Sequence, residues 1–296
     1  MVNLKMTTQE LQNELERIQE FLKSYVREGE RVVIGISGGL DSDVVARIAV
    51  STFGKERVKL FTVLQSDMED KYIRNVRNLA QDMGVVLVEL NMQKLPYEFM
   101  KAMEVDEEEE FNADGLIDPA RAKCSLRTMI ISTYQDRGYV VLGTSNKTEI
   151  KTGFYMPFGD AQAHIKPIAH LYKSQVCQLA KIVGTREEVI NQPASAGFWK
   201  GQEDLEDLAY WIYNEKPIGK EQYFTEEDDK KVGEIYRMLN RENVDIMLAC
   251  LEEGISVGDI SEETGLPEFI INSMKKMIHY AATTKNRPLL VSMEQG

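Results

Sequence analysis

Apolar positions in the first 28 residues recur at helical spacing: Leu11, Leu15, Ile18, Phe21, Leu22, Tyr25 and Val26, with charged residues between them. The period then changes. Arg31-Val32-Val33-Ile34-Gly35-Ile36 is a short β-branched run that stops at Ser37-Gly38-Gly39, as a strand buried on both faces would. From Asp41 to Val50 helical spacing resumes through Val44, Val45, Ile48 and Ala49. Residues 58–64 read as a second strand, 70–83 as a helix and 85–90 as a third strand. A helix over 121–136 and an apolar run over 139–143, ending in glycine, complete the rhythm. Strands alternating with helices predict an α/β fold, a Rossmann-like parallel sheet flanked by helices. Ligands of such open sheets sit beyond the carboxyl ends of the strands. Residues 37–42 and 143–149 occupy two of those ends and carry the most distinctive residues in the chain.

Two segments break the rhythm. Residues 104–114 hold seven acids and no base, which reads as a solvated loop. Between about 153 and 225, aromatics, glycines and prolines are dense and periodicity is poor, which suits long ordered loops over a site. Helical spacing returns over 226–280. The expected organisation is an α/β domain over 1–225, with 226–296 a helical C-terminal extension of the same domain. There is no internal repeat.

Composition narrows the class. The chain has 296 residues, 43% hydrophobic and 28% charged, enough to bury a core without staples. Its three cysteines, Cys124, Cys177 and Cys250, show no CxxC or Cys/His spacing, so a disulfide framework or structural zinc is not expected. A net charge of −13 argues against a nucleic-acid partner. No apolar run approaches the roughly 20 residues needed to span a bilayer. Helical spacing begins within the first dozen residues, without a leader-like segment. A cytoplasmic enzyme that touches no membrane is the expectation.

The candidate chemistry begins at Ser37-Gly38-Gly39-Leu40-Asp41-Ser42. Two glycines let the backbone turn tightly and approach a ligand. The free N–H groups of the following helix then face an anion with the positive end of the dipole behind them. GxxxxGK[ST] and GxGxxG are both absent. The plainer alternative is a glycine turn in which Asp41 or Ser42 merely caps a helix. The full string SGGLDS in this strand-to-helix setting resembles the SGGxDS signature of the PP-loop ATP pyrophosphatases.

Further segments tighten the resemblance. Gly143-Thr144-Ser145-Asn146-Lys147-Thr148-Glu149 is similar to GTxNxxE of the NAD synthetase family, and Gly153–Asp160 to its GYxTxxGD. Pro167–Val176 resembles PIxxLYKTQV, Pro193–Asp204 resembles PSAxLWxGQxDE, and Thr284–Pro288 resembles the terminal HKRxxP. These matches run in family order along the chain. The resemblance implies an adenine nucleotide alpha hydrolase-like fold and an ammonia-dependent amide ligase. In that reaction a carboxylate, nicotinic acid adenine dinucleotide, is adenylated by ATP with release of pyrophosphate, and ammonia then displaces AMP.

Residue by residue, the resemblance implies catalytic roles for Asp41, Glu149 and Lys173. It places ATP and pyrophosphate on Ser37, Gly38, Gly39, Leu40, Asp41, Ser42, Thr144, Lys173 and Ser195. Mg²⁺ falls to Asp41 and Glu149, in keeping with its preference for one or two carboxylates plus phosphate oxygens. The acceptor falls to Arg127, Asn146, Phe154, Met156, Asp160 and His164. The family also implies a homodimer, for which the apolar positions of 11–26 and 235–251 are candidates, as they are for intramolecular core. Phe198 and Trp199 suit a loop that orders over substrate. About 30 residues precede the first strand, too few for a glutamine-hydrolysing domain, so free ammonia or a separate partner is the expected nitrogen source.

Three departures fall on the acceptor side. Met156 stands for the family threonine. Ala161-Gln162-Ala163-His164 stands for GxxD, placing a histidine where the family has an acid. Arg127 is the single counterpart of an arginine cluster. A paralogue acting on another carboxylate and ordinary family drift both accommodate these changes. Cys124, between Lys123 and Arg127, leaves a PP-loop sulfurtransferase as a further alternative. Residues 255–277 are patterned like a helix-turn-helix, but four acids against two lysines suit packing better than a phosphate backbone.

Overall fold

The computed structural model describes residues 2–65, 68–92, 119–157, 159, 162–195, 201–216 and 224–285, with only the backbone described over 119–126. Helix α1 (Thr8–Tyr25) begins at Thr7, whose hydroxyl accepts from the Glu10 amide while Glu10 reaches back to the Thr7 amide. Its buried stripe is Leu11, Ile18 and Leu22. Strand β1 (Arg31–Gly35) leads into α2 (Leu40–Phe53), then β2 (Val58–Leu64), α3 (Asp70–Met83) and β3 (Leu87–Asn91). Helix α4 (Pro119–Asp136) precedes β4 (Tyr139–Val141). All strands are parallel in the order β3-β2-β1-β4.

The pleat of β1 and β2 sorts side chains to two faces. Val32, Ile34, Val58 and Leu60 meet α1, α2 and α3 in the main core, whereas Val33, Phe61 and Val63 meet Ile130, Ile131 and Tyr134 of α4. Strand β4 is shorter than its apolar run because the chain turns to meet the segment at 163–165. There Leu142 bridges Ile165, and the Gly143 amide donates to the Ile165 carbonyl at 2.8 Å. A Cβ at Gly143 would sit 2.7 Å from that of Ala163, so only glycine permits the approach.

The segment read as loops between 153 and 225 holds, among its described residues, three helices: α5 (Lys147–Thr152) leads into it, followed by α6 (Lys173–Ile182), α7 (Glu187–Asn191) and α8 (Asp204–Asn214). These helices are short, and α8 is rich in aromatics, which hid the period. The extension forms α9 (Glu226–Met238), α10 (Arg241–Glu252), α11 (Val257–Thr264) and α12 (Glu268–Thr284). A second core joins these four helices to Leu208, Ala209 and Ile212 of α8 and to Tyr172, so it reaches back before residue 226. Ile260, Ile270, Ile271 and Met274 of the helix-turn-helix-like stretch are spent on it. Of the interface candidates, Leu11, Ile18, Leu22, Val26, Ile235, Leu239, Met247 and Leu248 are likewise buried within the chain, while Phe21, Tyr25 and Met238 remain exposed. No helix among the described residues is long and apolar enough to cross a membrane. The acidic segment 104–114 lies outside the described residues.

Candidate active site

The carboxyl end of β1 opens into the glycine loop. Gly38 adopts φ +81°, and a Cβ there would collide with the Tyr72 backbone. The loop is braced from behind: the Gly38 carbonyl accepts from Asn75 Nδ2 at 3.1 Å and Gln192 Nε2 at 3.0 Å. Within it, Ser42 Oγ donates to the Gly39 carbonyl at 3.0 Å, and the Ser37 and Ser42 hydroxyls lie 3.2 Å apart. The N-cap of α2 is Gly39, which offers no side-chain bond, so neither Asp41 nor Ser42 plays the capping role of the plainer alternative. The first amides of α2 are left for an anion.

Opposite stands a second cluster. Asn146 caps α5, its Oδ1 accepting from the Glu149 amide at 3.0 Å while the Asn146 amide donates to Glu149 Oε2 at 3.2 Å. Its Nδ2 donates to Asp41 Oδ1 at 3.1 Å, and Lys173 Nζ donates to Asp41 Oδ2. Lys173 and Asp41 are 12% and 14% exposed, so their charges meet in a poorly solvated place. Burial pushes Glu149 well above the ordinary carboxylate range, and the neighbouring Asp41 adds to the shift. For Lys173 burial works the other way, yet Asp41, Glu149 and Asp204 together raise it and keep it charged.

The cluster is held by a residue that motif reading missed. Asp245 of α10 is fully buried and accepts from Thr148 Oγ1 at 2.6 Å and from the Ser174 amide at 2.6 Å. Thr148 Oγ1 in turn accepts from the Lys173 amide at 2.9 Å. One carboxylate thus ties the helix bearing Glu149 to the helix bearing Lys173. Its signal was an acid inside the apolar run Val244-Asp245-Ile246-Met247-Leu248.

Both clusters face one cavity of about 840 Å³. Ser37, Gly39, Leu40, Asp41, Ser42, Thr144, Glu149, Lys173 and Ser195 line it, as do Arg127, Phe154 and Met156 from the acceptor set. Two residues of the acceptor set do not line this cavity. Asn146 is fully buried, its Nδ2 bonds Asp41, and it borders a smaller adjoining pocket with Phe154 and Lys173. His164 does not line the cavity; its Nδ1 accepts from the Val141 amide at 3.0 Å on the edge of β4. Its neighbour Ala163 turns into the sheet-face cluster, and alternation sends the histidine the other way. Gly38 supplies the turn rather than the lining. Asp160, Phe198, Trp199, residues 286–288 and the side chain of Cys124 lie outside the described residues.

Further groups complete the wall. Phe154 and Trp211 pack with ring centroids 4.6 Å apart, and Lys285 Nζ lies 5.5 Å from the Trp211 ring. Lys285 also donates to the Gly153 and Tyr155 carbonyls. The terminal motif containing Lys285 signalled it in the sequence; nothing comparable signalled Trp211. Asp207, beside Gln202, is pushed up to about 6 by burial.

A parallel sheet with a glycine loop at its first strand and a lysine–carboxylate cluster at its fourth has the architecture of an adenine nucleotide alpha hydrolase-like fold. Residues 14–216 match the NAD synthase family, and the chain belongs to it. It is 28% identical over 283 residues to the NH(3)-dependent NAD(+) synthetase of Pyrococcus horikoshii, covering 95% of this chain and 94% of that one. It is 34% identical over 204 residues to the NH(3)-dependent NAD(+) synthetase of Thermoplasma volcanium, covering 67% and 78%. Among solved structures, the NH3-dependent NAD synthetase of Campylobacter jejuni, in complex with the nitrate ion, superimposes with a TM-score of 0.66 at 20% identity. That match covers 97% of this chain and all of that one. The NMN synthetase of Francisella tularensis gives 0.69 at 19%, covering 98% and 100%. These two likenesses are of fold.

Proposed function

We propose that the protein is an ammonia-dependent NAD(+) synthetase. It adenylates the nicotinate carboxylate of nicotinic acid adenine dinucleotide with ATP, then converts the adenylate to the amide. In the first step a carboxylate oxygen bonds to the α-phosphorus of ATP and the bond to the β-phosphate oxygen breaks, releasing pyrophosphate. In the second, ammonia bonds to the acyl carbon, AMP leaves, and one proton is released. The observation that carries this reading is the meeting of the glycine loop with Lys173, Asp41 and Glu149 in a cavity large enough for a nucleotide and a second ligand.

The work assigned to the chain is positioning and electrostatics. The loop amides with Ser37 and Ser42 hold the departing phosphates. Lys173 supplies a permanent positive charge beside the α-phosphate, and Thr144 and Ser195 border the nucleotide. Arg127, Phe154 and Met156 face the acceptor, the Phe154–Trp211 pair excluding water from the acyl carbon. Mg²⁺ fits the oxygen donors of Asp41 and Glu149, two neighbouring carboxylates whose mutual repulsion a cation relieves. When bound it supplies neutralisation of phosphate charge.

Family membership favours amide over sulfur transfer through Cys124. A related carboxylate as the natural acceptor is a second reading, favoured by Met156 on the cavity wall and by the absence of residue 164 from it. A homodimer is proposed as well, supported by Met129, 55% exposed on the helix that covers one sheet face. Buried free thiols at Cys177 and Cys250 suit a reducing cytoplasm.

The test is turnover of nicotinic acid adenine dinucleotide with ATP, Mg²⁺ and ammonium, following AMP and NAD together. Equal yields of the two, abolished by EDTA, are expected. ATP binding without NAD formation would move the assignment to the second reading.

A further inference from the structure

Among the described residues, four basic side chains line the cavity against five carboxylates: Arg127, Lys173, Arg241 and Lys285. A polyanion entering so acidic a place needs cations, and two of the four are committed. Lys173 pairs with Asp41, and Lys285 donates to two backbone carbonyls. Arg127 reaches the cavity from α4, on the far face of the sheet. Arg241 is different. It is the first residue of α10, and its Nη1 donates to Cys177 Sγ at 2.7 Å. Cys177 lies one turn beyond Lys173 on α6, and α6 packs against α2, whose N-terminus forms the glycine loop. The guanidinium is therefore delivered to the phosphate side of the cavity, from a part of the chain that none of the nucleotide motifs includes.

Among the described residues, the thiol is the only hydrogen-bond partner of this guanidinium. A thiol is a weak acceptor, whereas a guanidinium carries five donors in a planar fork matched to phosphate oxygens. A charge-assisted bond to phosphate is the stronger alternative. We propose that Arg241 binds the terminal phosphates of ATP and the pyrophosphate that leaves, holding them from the side opposite the loop amides. This rests on the ATP-dependent reading above and adds a binding residue from the helical extension.

The experiment compares wild type, R241Q and R241K for affinity toward ATP, inorganic pyrophosphate and AMP, with a thermal melt of each. R241Q should weaken ATP and pyrophosphate by about tenfold to a hundredfold, the scale of a lost charged hydrogen bond. AMP, which has no terminal phosphates, should bind R241Q as it binds wild type, which also shows that the variant is folded. R241K, keeping a charge without the fork, should fall between. Equal weakening of ATP and AMP, or no change in either, would overturn the assignment while leaving the ligase reading intact. Wild type that binds no ATP would remove the ligase reading, and this one with it.

Discussion

The two ends of the cavity are built on different principles. At the phosphate end, polar side chains hold one another: Asn75 and Gln192 grip the Gly38 carbonyl, and Asn146, Lys173 and Asp41 form one connected cluster anchored by Asp245. At the acceptor end the contacts include an aromatic pair, a methionine, lysine–ring approaches and the bonds from Lys285 to two backbone carbonyls. A hydrogen-bonded network specifies one geometry and tolerates little change. A wall of rings and thioether is adaptable. On the proposed assignment, the difference teaches that ATP chemistry would rest on a rigid frame, and the choice of second substrate on surfaces that can be exchanged at small structural expense.

That contrast can be broken most sharply at Lys173. K173M should lower AMP formation by at least about a hundredfold, the scale of losing an electrostatic group aimed at developing charge. A loss under about fivefold would show that the phosphate end does not depend on it. D245A comes next. It strips the acceptor from the Thr148 hydroxyl and the Ser174 amide, costing roughly 3 kcal/mol of stability. A denaturant titration should show this, together with a fall in kcat at temperatures where the variant is folded. At the opposite end, W211A should raise the acceptor KM by about tenfold and leave the KM for ATP unchanged. Equal changes in both would erase the distinction between the ends.

The smallest effect lies outside the cavity, at Glu252. Burial works against its charge, but Lys147, Lys151 and Tyr172 hold its carboxyl down to about 2, from an ordinary value near 4.5. The folded value is the lower one, so this group's contribution is present above pH 4.5 and is lost as pH falls from 4.5 toward 2. In E252Q the melting temperature should fall less between pH 5 and 3 than in wild type. Superimposable profiles would show that the cluster adds nothing.

The sheet was legible because β1 and β4 are rich in β-branched residues and lie next to glycines, a signal that is local. Strand β2 and helix α3 fall where the periodicity puts them. The meeting of Asp41, Glu149 and Lys173 follows from motifs that are each local in the chain, Ser37–Ser42 after the first strand and Gly143–Glu149 after the fourth. Asp245 and Arg241 were not legible, because their meaning arises from partners 97, 71 and 64 positions away. His164 is a different case: its ring accepts from the Val141 amide instead of lining the cavity. A motif position fixes where a residue stands in the chain, and the pleat decides which way it faces. The helices between 173 and 214 were hidden by their brevity and by aromatics that belong to both loops and cores.

Asp245 also sets an order of events during synthesis. The chain leaves the ribosome amino end first, and the glycine loop is complete by residue 42, the fourth strand by residue 141. Yet the clamp joining the Glu149 and Lys173 helices comes from residue 245. The four strands are thus synthesised about a hundred residues before the side chain that joins those two helices, so the cluster can be assembled only once most of the polypeptide has been made.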